Sequence, residues 1–150
     1  MTVRISNRQP ESFVAGGNAF RVLDDGTSTG GRIGVVECEL PPGWPGPPQH
    51  VHREHDENFY VLEGRVRYSS GGDEFIAGPG DLVTVPAGDP HTFGNADTNA
   101  PARLLGSCSP AKFIDFFRAL ATLPLDGDGR VDRAELVALM DQYASHPYAA

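Results

Sequence analysis

The chain has 150 residues and a formal net charge of −8 at pH 7, with 20 Asp plus Glu against 12 Lys plus Arg. That length suits one domain able to bury most of its apolar surface, and an acidic chain without a basic cluster has nothing to neutralise a phosphate backbone or grip an anionic membrane, so neither nucleic acid nor a membrane is an expected partner. Eighteen glycines and 13 prolines spread through short apolar segments favour an all-β barrel over a helical or α/β fold.

Taken in chain order, residues 1–17 are polar and interrupted by Pro10, without the basic-then-apolar profile of a signal peptide. No apolar run approaches membrane-spanning length, and the expected location is the cytoplasm. Residues 20–23 read as an early strand, 24–31 as a turn rich in Asp, Thr, Ser and Gly, and 33–40 as a buried strand. The segment 41–48, Pro-Pro-Gly-Trp-Pro-Gly-Pro-Pro, is a stiff loop whose prolines fix φ, so it loses little entropy on ordering. Trp44 at its tip is read as a packing anchor at a barrel rim or subunit interface, in preference to stacking on a substrate.

Residues 58–64 form a strand ending at a glycine turn, followed by 65–68, the Gly71-Gly72 turn and 74–76, a meander of hairpins. Residues 102–108 supply the last expected strand. Ser109 then reads as an N-cap with Pro110 at the first helical position, and Phe113, Phe116, Phe117 and Leu120 recur at helical spacing to give one apolar face. A second helix is expected from Asp132 to Tyr143. The predicted organisation is thus a barrel over 1–108 with 109–150 as a short helical extension of the same domain.

Between the two helices, residues 126–135 resemble the later part of an EF-hand loop, but counting back from Gly129 puts Pro124 where the first carboxylate ligand belongs. Asp132 with Glu135 makes a capping box, and Val131 with Leu136 a hydrophobic staple, which account for the segment without calcium. Cys38 and Cys108 fall in apolar stretches and are expected to be buried free thiols.

Two clusters carry chemistry: His50-x-His52-x4-Glu57-x6-Gly64, and Gly80-x5-Pro86-x-Gly88-x2-His91-x3-Asn95. His50 and His52, two apart on a strand, face the same way. Three imidazoles and one carboxylate suit one divalent transition-metal ion, Fe, Mn, Ni, Co or Zn, and leave open positions in its shell for a substrate. His55 breaks parity with His52 inside a charged run, so it is read as a solvent-facing or gate residue, with ligation the minor option, and Glu54 and Asp56 as surface charges. If Glu57 points inward, Phe59 and Val61 do too, and the same count from His91 turns Phe93 inward. Phe59 and Phe93 are the candidate apolar wall of a substrate pocket, or plain core.

The order and spacing of these two blocks resemble the paired motifs of the cupin superfamily, with a single pair and a short inter-motif segment from Gly64 to Gly80. The region of roughly 20–120 is most similar to small quercetin dioxygenase-like cupins. The resemblance implies a double-stranded β-helix (jelly-roll) barrel, a homodimer, a metal on His50, His52, Glu57 and His91, and an acidic or phenolic small-molecule substrate. Three functional readings follow. The first is a metal-dependent dioxygenase on a flavonol-like or enolisable aromatic, with Glu57 as the catalytic base. The second is a metal-dependent isomerase, cyclase or decarboxylase. The third is a non-catalytic binding barrel, since Ser107, Cys108 and Ser109 have no nearby partner that suggests a triad.

Overall fold

Alternating apolar and polar side chains build most of the strands, and the computed structural model describes residues 3–149. Strands β1 (Glu11–Ala15), β2 (Asn18–Asp24), β3 (Gly34–Leu40), β4 (His50–His52), β5 (Asp56–Glu63), β6 (Val66–Ser70), β7 (Asp73–Ala77), β8 (Leu82–Val85), β9 (Thr92–Asn95) and β10 (Ala102–Ser109) come first. Helices α1 (Ile114–Leu120) and α2 (Arg133–Gln142) follow, and a short strand β11 (Ser145–Pro147) ends the order. In β3, β5 and β10 alternate residues are buried, which marks one face of each as core.

Six strands pair in the order β1-β2-β3-β10-β5-β8, three in the order β7-β6-β9, and β11 pairs with β4, all antiparallel. His50 and His91 exchange both backbone hydrogen bonds at 2.9 Å, so β4 and β11 prolong the smaller sheet past β9. The result is the all-β double-stranded helix expected from the sequence, as two facing sheets not closed into one continuous barrel. Leu40, Val61, Val66 and Leu104 between them are at most 1% exposed. No helix among the described residues is long and apolar enough to cross a membrane.

Two glycines show why the motif spacing is strict. Gly64 sits at φ +81° in the turn from β5 to β6, where an added Cβ would lie 2.8 Å from the backbone of Ala102. Gly46, at φ +88°, lets the proline-rich loop lie against β9, since a Cβ there would collide with the Phe93 carbonyl. That loop is pinned by Asn95 N–H donating to Trp44 O at 2.9 Å and Thr92 Oγ1 donating to Pro47 O at 2.6 Å. It therefore delivers His50 to the start of β4.

The structure departs from the sequence reading in three places. Ser109 is not a helix cap: β10 runs through it, its hydroxyl donates to Arg32 O at 2.9 Å, and residues 111–113 form a 3-10 turn before α1. The strand 102–108 is not the last, because β11 returns after α2, and β1 adds an edge strand within the stretch read only as a polar start. The Phe-rich face itself is as expected: Phe113 and Phe116 are buried, and Phe117 stacks on Phe20 at 4.7 Å. Gly34 makes room for it, as a Cβ there would come within 2.5 Å of Ile114.

Helix α2 starts as predicted, with Asp132 Oδ1 accepting from the N–H of Ala134 and of Glu135. In the 126–135 loop the Asp126 carboxylate accepts from the backbone N–H of Asp128 and Arg130, both at 2.9 Å, which makes it the cap of a turn. Because Leu104 sits in the most central strand and is fully packed, Leu104→Ala is expected to destabilise the protein by about 2–5 kcal/mol, read from the urea unfolding midpoint.

Candidate metal centre

Strand geometry brings the titratable residues of both motifs to one place. His50 and His52 lie on the same face of β4, Glu57 begins the inward face of β5, and His91 enters from the turn before β9. All four side chains are buried, between 3% and 7% exposed. His52 Nε2 is 3.2 Å and His91 Nε2 3.3 Å from Glu57 Oε2. The ring nitrogens of His50, His52 and His91 fall within 4.8 Å of one another. A second triplet of the same tightness, His52, His55 and Glu57, shares His52 with the first.

His55 corrects the sequence reading. It is 5% exposed, its Nε2 lies 3.5 Å from Glu57 Oε1, and its ring stacks on Phe113 at 4.2 Å. Counting by twos from His52 fails because the chain bends at residues 53–54, so parity restarts in β5. The available signal was the third histidine itself, placed inside the first motif.

The remaining predicted residues fall into place as packing. Phe59 is buried, Phe93 is half-buried, and their rings meet at 5.0 Å with Tyr68 against both. Each is two residues along a strand from a cluster residue, so they continue the wall beside it. Trp44 donates its indole N–H to Gly16 O at 3.1 Å and tilts on Phe93 at 5.6 Å, the anchor role expected of it. Asn95 ties loops together: its amide nitrogen donates to Leu40 O, Pro41 O and Ala100 O, and its oxygen accepts from Asp97 N–H. Cys38 and Cys108 are free and buried, and burial pushes the Cys108 thiol up to about 12, which leaves it inert as a nucleophile.

Burial and charge fix the protonation states. Burial, helped by the neighbouring imidazoles His91 and His52, lowers His50 from the usual 6.5 to about 3. Burial also lowers His52, partly offset by Glu57. Burial alone would raise the Glu57 carboxyl, but its imidazole neighbours, His52 first and then His55 and His91, hold it well below the usual carboxylate range. At neutral pH the site therefore holds neutral His50 and His52 beside an ionised Glu57.

That donor set fits a metal ion, and two details of hydrogen bonding favour one. His50 Nδ1 lies 2.9 Å from Pro48 O and His91 Nδ1 3.3 Å from Asp89 O. A carbonyl oxygen only accepts, so both rings carry a proton on Nδ1, and the neutral form of each presents its Nε2 lone pair inward. His91 Nε2 is buried with no hydrogen-bond partner, although it lies close to Glu57, and so is His55 Nε2. Lone pairs turned toward a carboxylate repel unless a cation lies among them. Outer-shell acceptors on Nδ1 are also the usual way a ligating imidazole is oriented.

The Cupin domain family model matches residues 36–108. Quercetin 2,3-dioxygenase of Bacillus subtilis (strain 168) is 30% identical over 123 residues, covering 82% of this chain and 35% of that protein. The chain thus spans about a third of the length of this relative. Among solved structures, a predicted oxalate decarboxylase from Thermotoga maritima matches with a TM-score of 0.59 and 22% identity over 73% of this chain and 99% of that one. The polyketide cyclase RemF from Streptomyces resistomycificus matches with a TM-score of 0.58 and 26% identity over 73% and 80%.

The protonation pattern sets an acid limit on stability. Between about 3 and 6.5, His50 takes up a proton only in the unfolded chain, so its contribution is complete above pH 6.5 and is lost as pH falls toward 3. Glu57, lowered in the fold, acts in the same direction further into acid. Metal-free protein is expected to show a urea unfolding free energy that is flat near pH 7 and declines from pH 6.5 downward, with a slope approaching about 1.4 kcal/mol per pH unit for each imidazole. His50→Gln should flatten that decline.

Proposed function

We propose, for a chain that belongs to the cupin family and resembles its quercetinase-like members, that it is a metal-dependent dioxygenase acting on a flavonol-like or otherwise enolisable aromatic. The observation that carries this reading is the convergence of imidazole Nε2 atoms on one buried carboxylate, in a chain 30% identical to a quercetin dioxygenase over 82% of its length. His50, His52, His91 and Glu57 would hold a divalent transition ion. When bound, such an ion supplies Lewis acidity toward an enolic or phenolic oxygen and, if redox-active, an electron path between that substrate and dioxygen.

The chain's own residues do the rest. Glu57, kept ionised by its imidazole neighbours, accepts the substrate hydroxyl proton at Oε1, the oxygen that His52 and His91 do not contact. His55 Nε2 lies 3.5 Å from that oxygen. Carbonyl oxygens of Pro48 and Asp89 hold the rings of His50 and His91 in one orientation. Phe59, Phe93 and Tyr68 give the neighbouring wall an apolar, water-excluding surface suited to a flat ring.

Access bears on the substrate. Where His55 approaches the surface, a cleft of about 20 Å³ is lined by Glu54, His55, Pro110, Lys112, Phe113 and Tyr143. Small-molecule sites are usually roughly 300 Å³ or more, so this cleft by itself does not hold a flavonol. The same narrowness favours a second reading, a non-oxidative isomerisation, cyclisation or decarboxylation of a smaller carbonyl compound, with RemF as a cyclase of similar fold.

Oxygen uptake separates the two. Protein reloaded with Fe²⁺, Mn²⁺, Co²⁺ or Ni²⁺ is expected to consume dioxygen and bleach the absorption band of a flavonol in equal amounts, and Glu57→Gln to slow this by roughly 10²–10⁴-fold. Turnover of a carbonyl substrate without oxygen uptake would favour the second reading and contradict the first.

A further inference from the structure

The three motif imidazoles differ in what holds their outer nitrogen. His50 and His91 each face a backbone carbonyl, whereas His52 Nδ1 lies 2.6 Å from the hydroxyl of Ser145, itself 1% exposed. A carbonyl locks one tautomer. A hydroxyl can accept from Nδ1–H or donate to a bare Nδ1. Ser145 Oγ also lies 3.2 Å from Tyr143 O, which can only accept. With its proton on that carbonyl, Ser145 accepts from His52 Nδ1–H and frees the Nε2 lone pair. With the ring proton on Nε2 toward Glu57, 3.2 Å away, the hydroxyl turns to Nδ1 instead. The first arrangement leaves His52 Nε2 free for a metal ion, and the second spends it on Glu57.

The backbone is built to put this hydroxyl there. Strand β11 pairs with β4 in the register Ser145↔His52, His146↔Val51 and Pro147↔His50. Arg53 N–H donates to Ala144 O at 2.9 Å and Tyr148 N–H to Gln49 O at 2.8 Å, closing the ladder at both ends. Ala144 turns the chain from α2 into β11 at φ 50°, a left-handed conformation a residue with a Cβ adopts only when its surroundings impose it.

We infer that Ser145 is a positioning residue for metal capture, setting the ring orientation and tautomer of His52, and that β11 is therefore part of the metal centre. The inference rests on the metal-binding part of the reading above and not on the dioxygenase chemistry. Ser145 lies 93 residues along the chain from His52, beyond both motifs.

The test compares Ser145→Thr with Ser145→Val, two side chains of nearly equal shape that differ by the hydroxyl. Zn²⁺ affinity is measured by competition with a chromophoric chelator, beside the urea midpoint of each metal-free protein. Ser145→Thr is expected within a few-fold of wild type and Ser145→Val roughly 10–100-fold weaker, the usual cost of losing an outer-shell partner. Equal affinities for the two variants overturn the inference while leaving the metal reading intact. A wild type that does not bind Zn²⁺ overturns both. If the variants fold poorly, the Zn²⁺-loaded wild type decides by nuclear magnetic resonance. His52 Nδ1–H should appear as a downfield, slowly exchanging proton close to Ser145 Hβ, and a fast-exchanging or absent signal overturns the inference.

Discussion

Taking the Glu57 carboxylate out of water is the costly step on which the rest of this structure depends. An unpaired buried charge costs several kcal/mol even after relaxation, and no Lys or Arg reaches this one among the described residues. Its contacts are imidazoles, of which burial lowers His52 as it does the neighbouring His50, so the compensation they offer is partial. A site of this kind has more negative charge than its protein neighbours balance. A divalent ion among the imidazoles would supply the missing positive charge.

The second consequence concerns what surrounds the cluster. For the carboxylate to remain dry, something must close the end of the sandwich where β4 and β5 meet, and here the C-terminal region does it. Phe113 stacks on His55 and meets His52 edge-on, Tyr143 packs edge-on against Phe113 and Phe116, and β11 runs along β4. Arg118 fastens α1 to the larger sheet through Glu11 and Asp25. The helical extension thus contributes both apolar cover and one polar contact, Ser145. Closure raises the strength of every electrostatic interaction inside and restricts what can enter.

Legibility in the sequence followed the range of the interactions. The ligand clusters, their turn glycines and the buried strands around them were readable because period-two alternation and φ-restricted turns are local properties, as with Glu57, Phe59 and Val61 or with Gly64. His55 was misread because a two-residue bend resets the alternation, and no local rule sets which way a short connection turns. Ser109 has the composition of a helix cap, but tertiary pairing with β3 and β5 draws it into β10. Ser145 and β11 were invisible for a different reason. Three residues with neither alternation nor a turn signal become a strand only because β4 offers a free edge, and that edge exists only in the folded sandwich.

The account's central claim, that this cluster is a metal centre, is tested most directly by elemental analysis of protein purified without added metal or chelator, as wild type and as His52→Ala. Near-stoichiometric transition metal in the wild type, lost in the variant while the fold is retained, is the predicted result. Metal-free wild type that also fails to take up Fe²⁺, Mn²⁺, Co²⁺, Ni²⁺ or Zn²⁺ on titration would contradict it.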